Sequence, residues 1–345
     1  MSSTLSQELP KSPQAPTRSR TPSPVIIVLK EKADQPDRAT VKVPELKGIL
    51  SALYNLNSNS VICSMPDVVI TGASSGIGFA ACEALIRRGF RVFGSVRTKA
   101  DADRLTQQLG PQYVPLIFDV TDADSVNQVA AAVEKMLGEQ RLFGLVNNAG
   151  IAVLGPLACL PLERFRQQIE VNLLGVHTVT QAFLPLLGTE PNRVAEAGRV
   201  VNISSTHGKL AMPFAGAYAA SKFGLEGYSD SLRRELMLFG IKVILIEPGS
   251  VATPIWDKNE AAVVQEFPNT PYDRSLGVFA KQLIREAKTG LPSEKLGELI
   301  CRVLTTPRPR ARYMMAPPRL VEWSIPRRLP AELVDYCMAK FFRIR

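Results

Sequence analysis

The stretch that decides the fold is Asp67-Val68-Val69-Ile70-Thr71-Gly72-Ala73-Ser74-Ser75-Gly76-Ile77-Gly78, in which a short β-branched run breaks into a glycine-rich turn and then into an amphipathic segment. Glycines let a chain turn tightly and bring its backbone close to a pyrophosphate. The helix that follows offers unpaired N–H groups and the positive end of its dipole. A glycine turn alone is an ordinary strand-to-helix connection. With a strand before it and a helix after it, the segment reads as a dinucleotide loop built from Thr71, Gly72, Ser74, Ser75, Gly76, Ile77 and Gly78. Its spacing, G-x-x-x-G-x-G, differs from the G-x-G-x-x-G of other dinucleotide folds.

The same alternation repeats outward from this loop. A helix is expected near Ile77 to Arg88, a strand over Arg91 to Arg97, a helix after Asp101, a strand over Tyr113 to Val120 and a helix over Asp122 to Leu137. Strands at Leu142 to Asn148, Arg199 to Ser205 and Lys242 to Glu247 are separated by a long helix near Leu162 to Leu187 and another from Ala217 to Phe239. Tyr313 to Ala316 supplies the last strand. This pattern indicates an α/β fold, a doubly wound seven-stranded parallel sheet with helices on both faces, whose ligand sits where the strands end. The alternation fills residues 66–317. Residues 1–65 lack it and read as an appendage, with an apolar stretch at Val25 to Leu29 and a candidate helix at Pro44 to Tyr54. Residues 318–345 read as a basic extension.

Composition sets the outer limits. A chain of 345 residues with 46% hydrophobic content can bury a sizeable core. The net charge of +9 lies in the tails: eight Lys and Arg against five Asp and Glu in residues 1–65, nine against three in residues 306–345, and 24 against 24 between them. A nucleic-acid enzyme carries its basic stripe on the folded body, so the neutral middle argues against a nucleic-acid partner. The five cysteines, Cys63, Cys82, Cys159, Cys301 and Cys337, stand far apart without a C-x-x-C pair, which fits a reducing compartment and offers no zinc site. With His177 and His207 as the two histidines, a histidine metal centre or a Ser/His/Asp triad has little material, and no metal is expected. No uninterrupted run of about 18 apolar residues marks a membrane span, so a cytoplasmic location is expected. The first 25 residues, rich in Ser, Pro and Thr with Lys11, Arg18 and Arg20 against Glu8, read either as a disordered tail or as an organelle transit peptide.

The glycine loop resembles the nucleotide loop of the short-chain dehydrogenase/reductase family, and further segments similar to that family follow in its order. Asp119-Val120 closes the third strand, where the resemblance implies that Asp119 accepts a hydrogen bond from an adenine amino group. Asn147-Asn148-Ala149-Gly150 closes the fourth and resembles the segment that supports the sheet and faces the adenine ribose. Pro248-Gly249-Ser250-Val251-Ala252-Thr253 follows the sixth and resembles the segment whose Val251 backbone and Thr253 hydroxyl meet the nicotinamide carboxamide. The resemblance implies a Rossmann fold, a hydride-transferring oxidoreductase and a homo-oligomer, dimer or tetramer.

The chemistry is carried by Tyr218-Ala219-Ala220-Ser221-Lys222, where four-residue spacing puts a phenol and an ammonium on one helical face. A tyrosine near its reference pKa of about 10 is a poor acid or base at neutral pH. A neighbouring cation favours the phenolate, so Lys222 is expected to lower that pKa. By resemblance, Lys222 also hydrogen-bonds the nicotinamide ribose. Ser205, thirteen residues before Tyr218, resembles the family serine and can donate to a substrate oxygen, with Ser204 as the neighbour most easily confused with it. Asn172 resembles the family asparagine that kinks its helix and holds a water beside the lysine. His207 is read as a surface residue.

The second strand ends Val96-Arg97-Thr98-Lys99, with no carboxylate before Asp101. An acid there would bind the 2'-hydroxyl of NAD, whereas Arg97, helped by Ser74 or Lys99, favours the 2'-phosphate of NADP(H). NAD(H) stays as the alternative. Residues 254–295 are expected to form a lid, apolar through Ile255, Trp256, Val263, Val264, Phe267, Phe279 and Leu283, over a small hydrophobic carbonyl or alcohol. Arg312-Tyr313-Met314-Met315 and Arg328-Leu329-Pro330 resemble members similar to 17-beta-hydroxysteroid and retinol dehydrogenases, which act on steroids, retinoids or lipid-like carbonyls. Ala331 to Arg345 is expected to be an amphipathic helix that packs on its own domain or a partner, with peripheral membrane contact as the alternative. Two rival readings keep the fold: a nucleotide-binding regulator without catalysis, and an isomerase, epimerase or dehydratase of the extended branch. The retained Tyr218 and Lys222 argue against the first, and the short C-terminal region against the second.

Overall fold

The computed structural model describes residues 65–190, 196–252, 266–316 and 328–344. Among them, seven strands form one sheet: β1 (Asp67–Ile70), β2 (Arg91–Val96), β3 (Tyr113–Ile117), β4 (Gly144–Asn147), β5 (Arg199–Ile203), β6 (Lys242–Pro248) and β9 (Arg312–Met315). A separate pair joins β7 (Val251–Ala252) to β8 (Leu291–Pro292). The large sheet runs in the order β3-β2-β1-β4-β5-β6-β9, and every neighbouring pair is parallel. The order turns back on itself between β1 and β4, the place where a doubly wound sheet opens a crevice at its strand ends.

Both faces of the sheet are covered, as the apolar run of β1, buried along its whole length, requires. Helices α1 (Gly76–Ile86), α2 (Lys99–Leu109) and α8 (Ser293–Thr305) cover one face, with Leu85, Leu105 and Ile300 packed on Val68, Ile70 and Val92. Helices α3 (Ala123–Leu137), α5 (Gly175–Leu184) and α6 (Gly216–Glu235) cover the other, with Val133, Phe183 and Leu232 packed on Val69, Phe93 and Val200. Helices α7 (Asp273–Thr289) and α9 (Ala331–Phe342) build a third cluster beyond the sheet, in which Phe279 and Phe342 meet Phe214 at ring centroid distances of 5.6 and 6.2 Å.

Local chemistry explains where the elements start and where the sequence reading slipped. Thr98 accepts from the Asp101 backbone N–H, so α2 begins at Lys99, ahead of the start expected after Asp101. Asp122 caps α3 in the same way through the Ser125 N–H. β3 stops at Ile117, three residues short of the expected end, because Asp119 accepts from both the N–H and the hydroxyl of Thr121 and turns the chain out of the sheet. The long helix spans Leu162–Thr189 but is not regular: α4 (Leu162–Ile169) passes into π-helical turns at Glu170–Leu174 and, after α5, at Pro185–Thr189. Its length and mean hydropathy of 1.2 would suffice to cross a membrane, yet half of the apolar window is buried inside the fold, as in a core helix. The two-residue strands β7 and β8 had no periodic signal to announce them. The appendage read over residues 1–65, apart from Met65, the first part of the expected lid with Ile255, Trp256, Val263 and Val264, and Thr253 lie outside the described residues.

Candidate active site

The glycine loop is held from behind by side chains. The Thr71 hydroxyl accepts from the backbone N–H groups of Asn148 and Ala149 at 2.9 and 3.0 Å, and the Asn148 amide donates to the carbonyls of Thr71 and Gly72 at 2.9 and 3.0 Å. Ser95 on β2 takes the Gly72 N–H on its hydroxyl at 2.9 Å and the Ala73 N–H on its carbonyl at 2.8 Å. Gly72 sits at φ +68°, and a Cβ on Gly78 would stand 2.2 Å from the Gly72 carbonyl oxygen, so the loop and the first turn of α1 can meet this closely only without side chains. Ser75 does not cap α1 with its side chain, and the first turn carries no acid, which leaves its N–H groups and dipole facing the crevice. This cradle fits a dinucleotide pyrophosphate.

The catalytic candidates converge from three elements. Tyr218 and Lys222 lie one turn apart on α6. Ser205 follows β5, and Asn172 lies in the first π turn. The Ser205 hydroxyl accepts from the His207 N–H at 3.1 Å and hydrogen-bonds the Tyr218 phenol. Ser204, the alternative, has its hydroxyl buried beside Gly208, with no hydrogen-bond partner among the described residues. The Lys222 ammonium, 6% exposed, donates to the Ile203 carbonyl at 2.8 Å and lies 5.7 Å from the centre of the Tyr218 ring. The Asn172 amide donates to the Ile151 carbonyl and accepts from the Ile151 N–H, both at 2.9 Å, so the π turn aims this side chain at the strand-end loop.

Two expectations about this site are corrected. Lys222 does not dominate the Tyr218 titration: burial raises the phenol pKa, and the hydrogen bond from Ser205 is what opposes the rise. Burial also disfavours the ammonium and lowers the Lys222 pKa to about 8, with Glu226 one turn further along α6 pulling it back up. His207 is not a surface residue. It is half-buried, its ring meets the Tyr218 ring at 5.6 Å between centroids, and burial lowers its pKa to about 4, so it is neutral at pH 7.

Of the cofactor candidates, Gly150 lies beside the Asn172 amide, where a Cβ would stand 3.3 Å from its oxygen, and Val120 packs under Gly175. The Gly249 N–H donates to the Met315 carbonyl at 2.8 Å, which ties the Pro248 segment to the edge strand, and Val251 is buried in the adjoining core. Arg97 is exposed past the end of β2. The sequence reading missed Arg104, which donates from the second turn of α2 to the Ser74 carbonyl at 2.9 Å and to the Asp101 carboxylate at 2.8 Å. It also missed Gln168, fully buried, which takes the Val153 N–H at 2.6 Å and donates to the Ile151 carbonyl at 3.0 Å. Its position four residues before Asn172 was the available sign, since i and i+4 share a helix face.

Tyr218 opens onto a narrow cleft with His207, walled by Leu154, Met212, Phe279 and Phe342. Residues 67–263 match the profile of a family described as short chain dehydrogenase. The NADPH-dependent 3-dehydrocapnine reductase of Ornithobacterium rhinotracheale is 38% identical over 77% of this chain and 94% of its own length. Retinol dehydrogenase 5 of Homo sapiens is 36% identical over 78% of this chain and 86% of its own length. Among solved structures, a short-chain dehydrogenase from Streptomyces avermitilis matches with a TM-score of 0.65 at 27% identity, covering 81% of this chain and 97% of that one.

Proposed function

Because the chain belongs to the short-chain dehydrogenase/reductase family, whose members are NAD(P)-dependent oxidoreductases, we propose that it moves a hydride between NADP(H) and a carbonyl or secondary alcohol on a hydrophobic substrate. The observation that carries this reading is the convergence of Tyr218, Ser205 and Lys222 in one crevice beside the braced glycine loop. When bound, the nicotinamide supplies or takes the hydride. In the reductive direction Ser205 donates to the carbonyl oxygen and steadies the charge that develops there, and the Tyr218 phenol delivers the proton. The raised phenol pKa keeps that proton in place at neutral pH. Lys222 supplies positive charge behind the phenol, and Asn172 holds the loop at Ile151.

Arg97, exposed past the end of β2, and Arg104, at the Ser74 carbonyl, support a 2'-phosphate, in keeping with the NADPH dependence named for the Ornithobacterium relative. The apolar cleft walls support a lipid-like substrate, in keeping with the retinol dehydrogenase relative. Helix α9 turns Phe342 inward and exposes Leu333, Tyr336 and Phe341, with Lys340 and Arg343 balanced by exposed Glu332 and Asp335, so its apolar side chains are what suits it to peripheral membrane contact. Oxidation of NADPH and NADH, followed side by side with steroid, retinoid, fatty-acyl and small ketone or aldehyde substrates, tests the proposal. Turnover with an apolar carbonyl and preference for NADPH are expected, and a preparation that oxidises neither cofactor with any of them contradicts it.

A further inference from the structure

Helix α7 buries Leu276, Phe279, Ala280 and Leu283, the apolar stripe of a helix that faces a core. The stripe continues toward the helix C-terminus at Gln282 and Glu286, and both line the cleft that contains Tyr218. Glu286 is half-buried there, with its carboxylate set against the apolar residues of the cleft. Glu286 is held by neutral donors: the Ser250 hydroxyl donates to Oε2 at 2.7 Å and the Gln282 amide to Oε1 at 2.8 Å. Among the described residues no Lys or Arg forms an ion pair with it, whereas Glu226, the buried carboxylate on α6, is met by Lys209 at 2.6 Å and Arg312 at 3.1 Å. Among the described residues that line the cleft, Glu286 is also the one that is charged, and the others are mostly apolar.

We propose that this cleft recognises an amphiphile bearing a protonated amine, with Glu286 as the fixed counter-charge. The two neutral donors orient the carboxylate and leave each oxygen a lone pair for a third, cationic donor. The same site discriminates against substrates that carry a carboxylate or phosphate beside Glu286, because like charges held at close range repel. This assignment rests on the oxidoreductase reading in that the cleft beside Tyr218 is the substrate's.

The test is calorimetric titration of the full chain loaded with NADP⁺, using octylamine and 1-octanol as probes of equal length. The amine binds about tenfold tighter or better in the wild type, the advantage expected of a charge-assisted hydrogen bond. Glu286→Gln reduces that advantage to about twofold or less while octanol affinity stays within about twofold. Glu286→Asp, which keeps the charge, retains a preference for the amine. Equal affinities in the wild type, or an amine preference that survives in Glu286→Gln, overturn the proposal. NADPH oxidation with 2-octanone is read separately on the same preparation, so failure of the redox reading is told apart from failure of the charge assignment.

Discussion

The two walls of the crevice are made in different ways. The wall proposed for the nucleotide is backbone: glycines at Gly72 and Gly78, the open N-terminus of α1, the Thr71 and Gly72 carbonyls gripped by Asn148, and the Gly72 and Ala73 N–H groups held by Ser95. The wall proposed for the substrate is side chain: Phe279, Phe342, Met212 and Leu154 around the Glu286 carboxylate. A backbone wall tolerates almost no added atoms and admits one kind of ligand. A side-chain wall can be refilled residue by residue, so under the proposed function it is the half that sets which carbonyl is accepted while the other half stays constant. Tyr218 stands where the walls meet.

Substitutions can break this contrast, and the largest effect is expected on the substrate wall. Phe342, fully buried against Phe214 and Phe279, anchors α9. Phe342→Ala should cost about 3 kcal/mol or more in denaturant unfolding while leaving cofactor affinity near wild type. On the nucleotide wall, Gly78→Val forces a side chain against the Gly72 carbonyl. It should weaken NADPH binding by about 100-fold, read by fluorescence titration, with little change in the cleft's preference between ligands. A smaller effect is expected from Arg97→Ala, which should raise the KM for NADPH by about tenfold and leave that for NADH unchanged. Equal losses with both cofactors would remove Arg97 from 2'-phosphate recognition.

The finest contrast concerns protons. Burial holds Lys222 near pKa 8 in the folded chain against an ordinary value of 10.5, so between these pH values the unfolded chain binds a proton that the folded chain does not. Stability of the wild type relative to Lys222→Met should therefore rise as pH climbs through that window, with the full cost of burying the ammonium present below it. Denaturation midpoints of both proteins at about pH 7 and about pH 10 measure this. A constant difference would mean that Lys222 is not desolvated.

The same contrast explains what could be read without coordinates. The loop from Thr71 to Gly78, the Tyr218 and Lys222 spacing and the alternation of strands and helices were legible because backbone geometry constrains residue type at fixed positions. Glu286 and Arg104 were not, because each acts through a neighbour far away in the chain, Ser250 and Ser74, and a lone Glu or Arg on a helix looks like any solvated charge. His207 was misread for the same reason: only the folded chain shows the ring of Tyr218 against it. The electrostatics of Tyr218 were misread because spacing shows which charges are near and not how much water has been removed. The Glu226 carboxylate beyond Lys222, buried with Lys209 and Arg312, belongs to that same hidden layer.

The account stands on the Tyr218 phenol as the proton donor beside a bound dinucleotide. Tyr218→Phe removes one oxygen and keeps the ring that packs against His207. Turnover of the best carbonyl substrate with NADPH should fall by about 1,000-fold, while the affinity for NADPH stays within about threefold of wild type. Turnover near the wild-type rate in a variant that still binds NADPH would contradict the account.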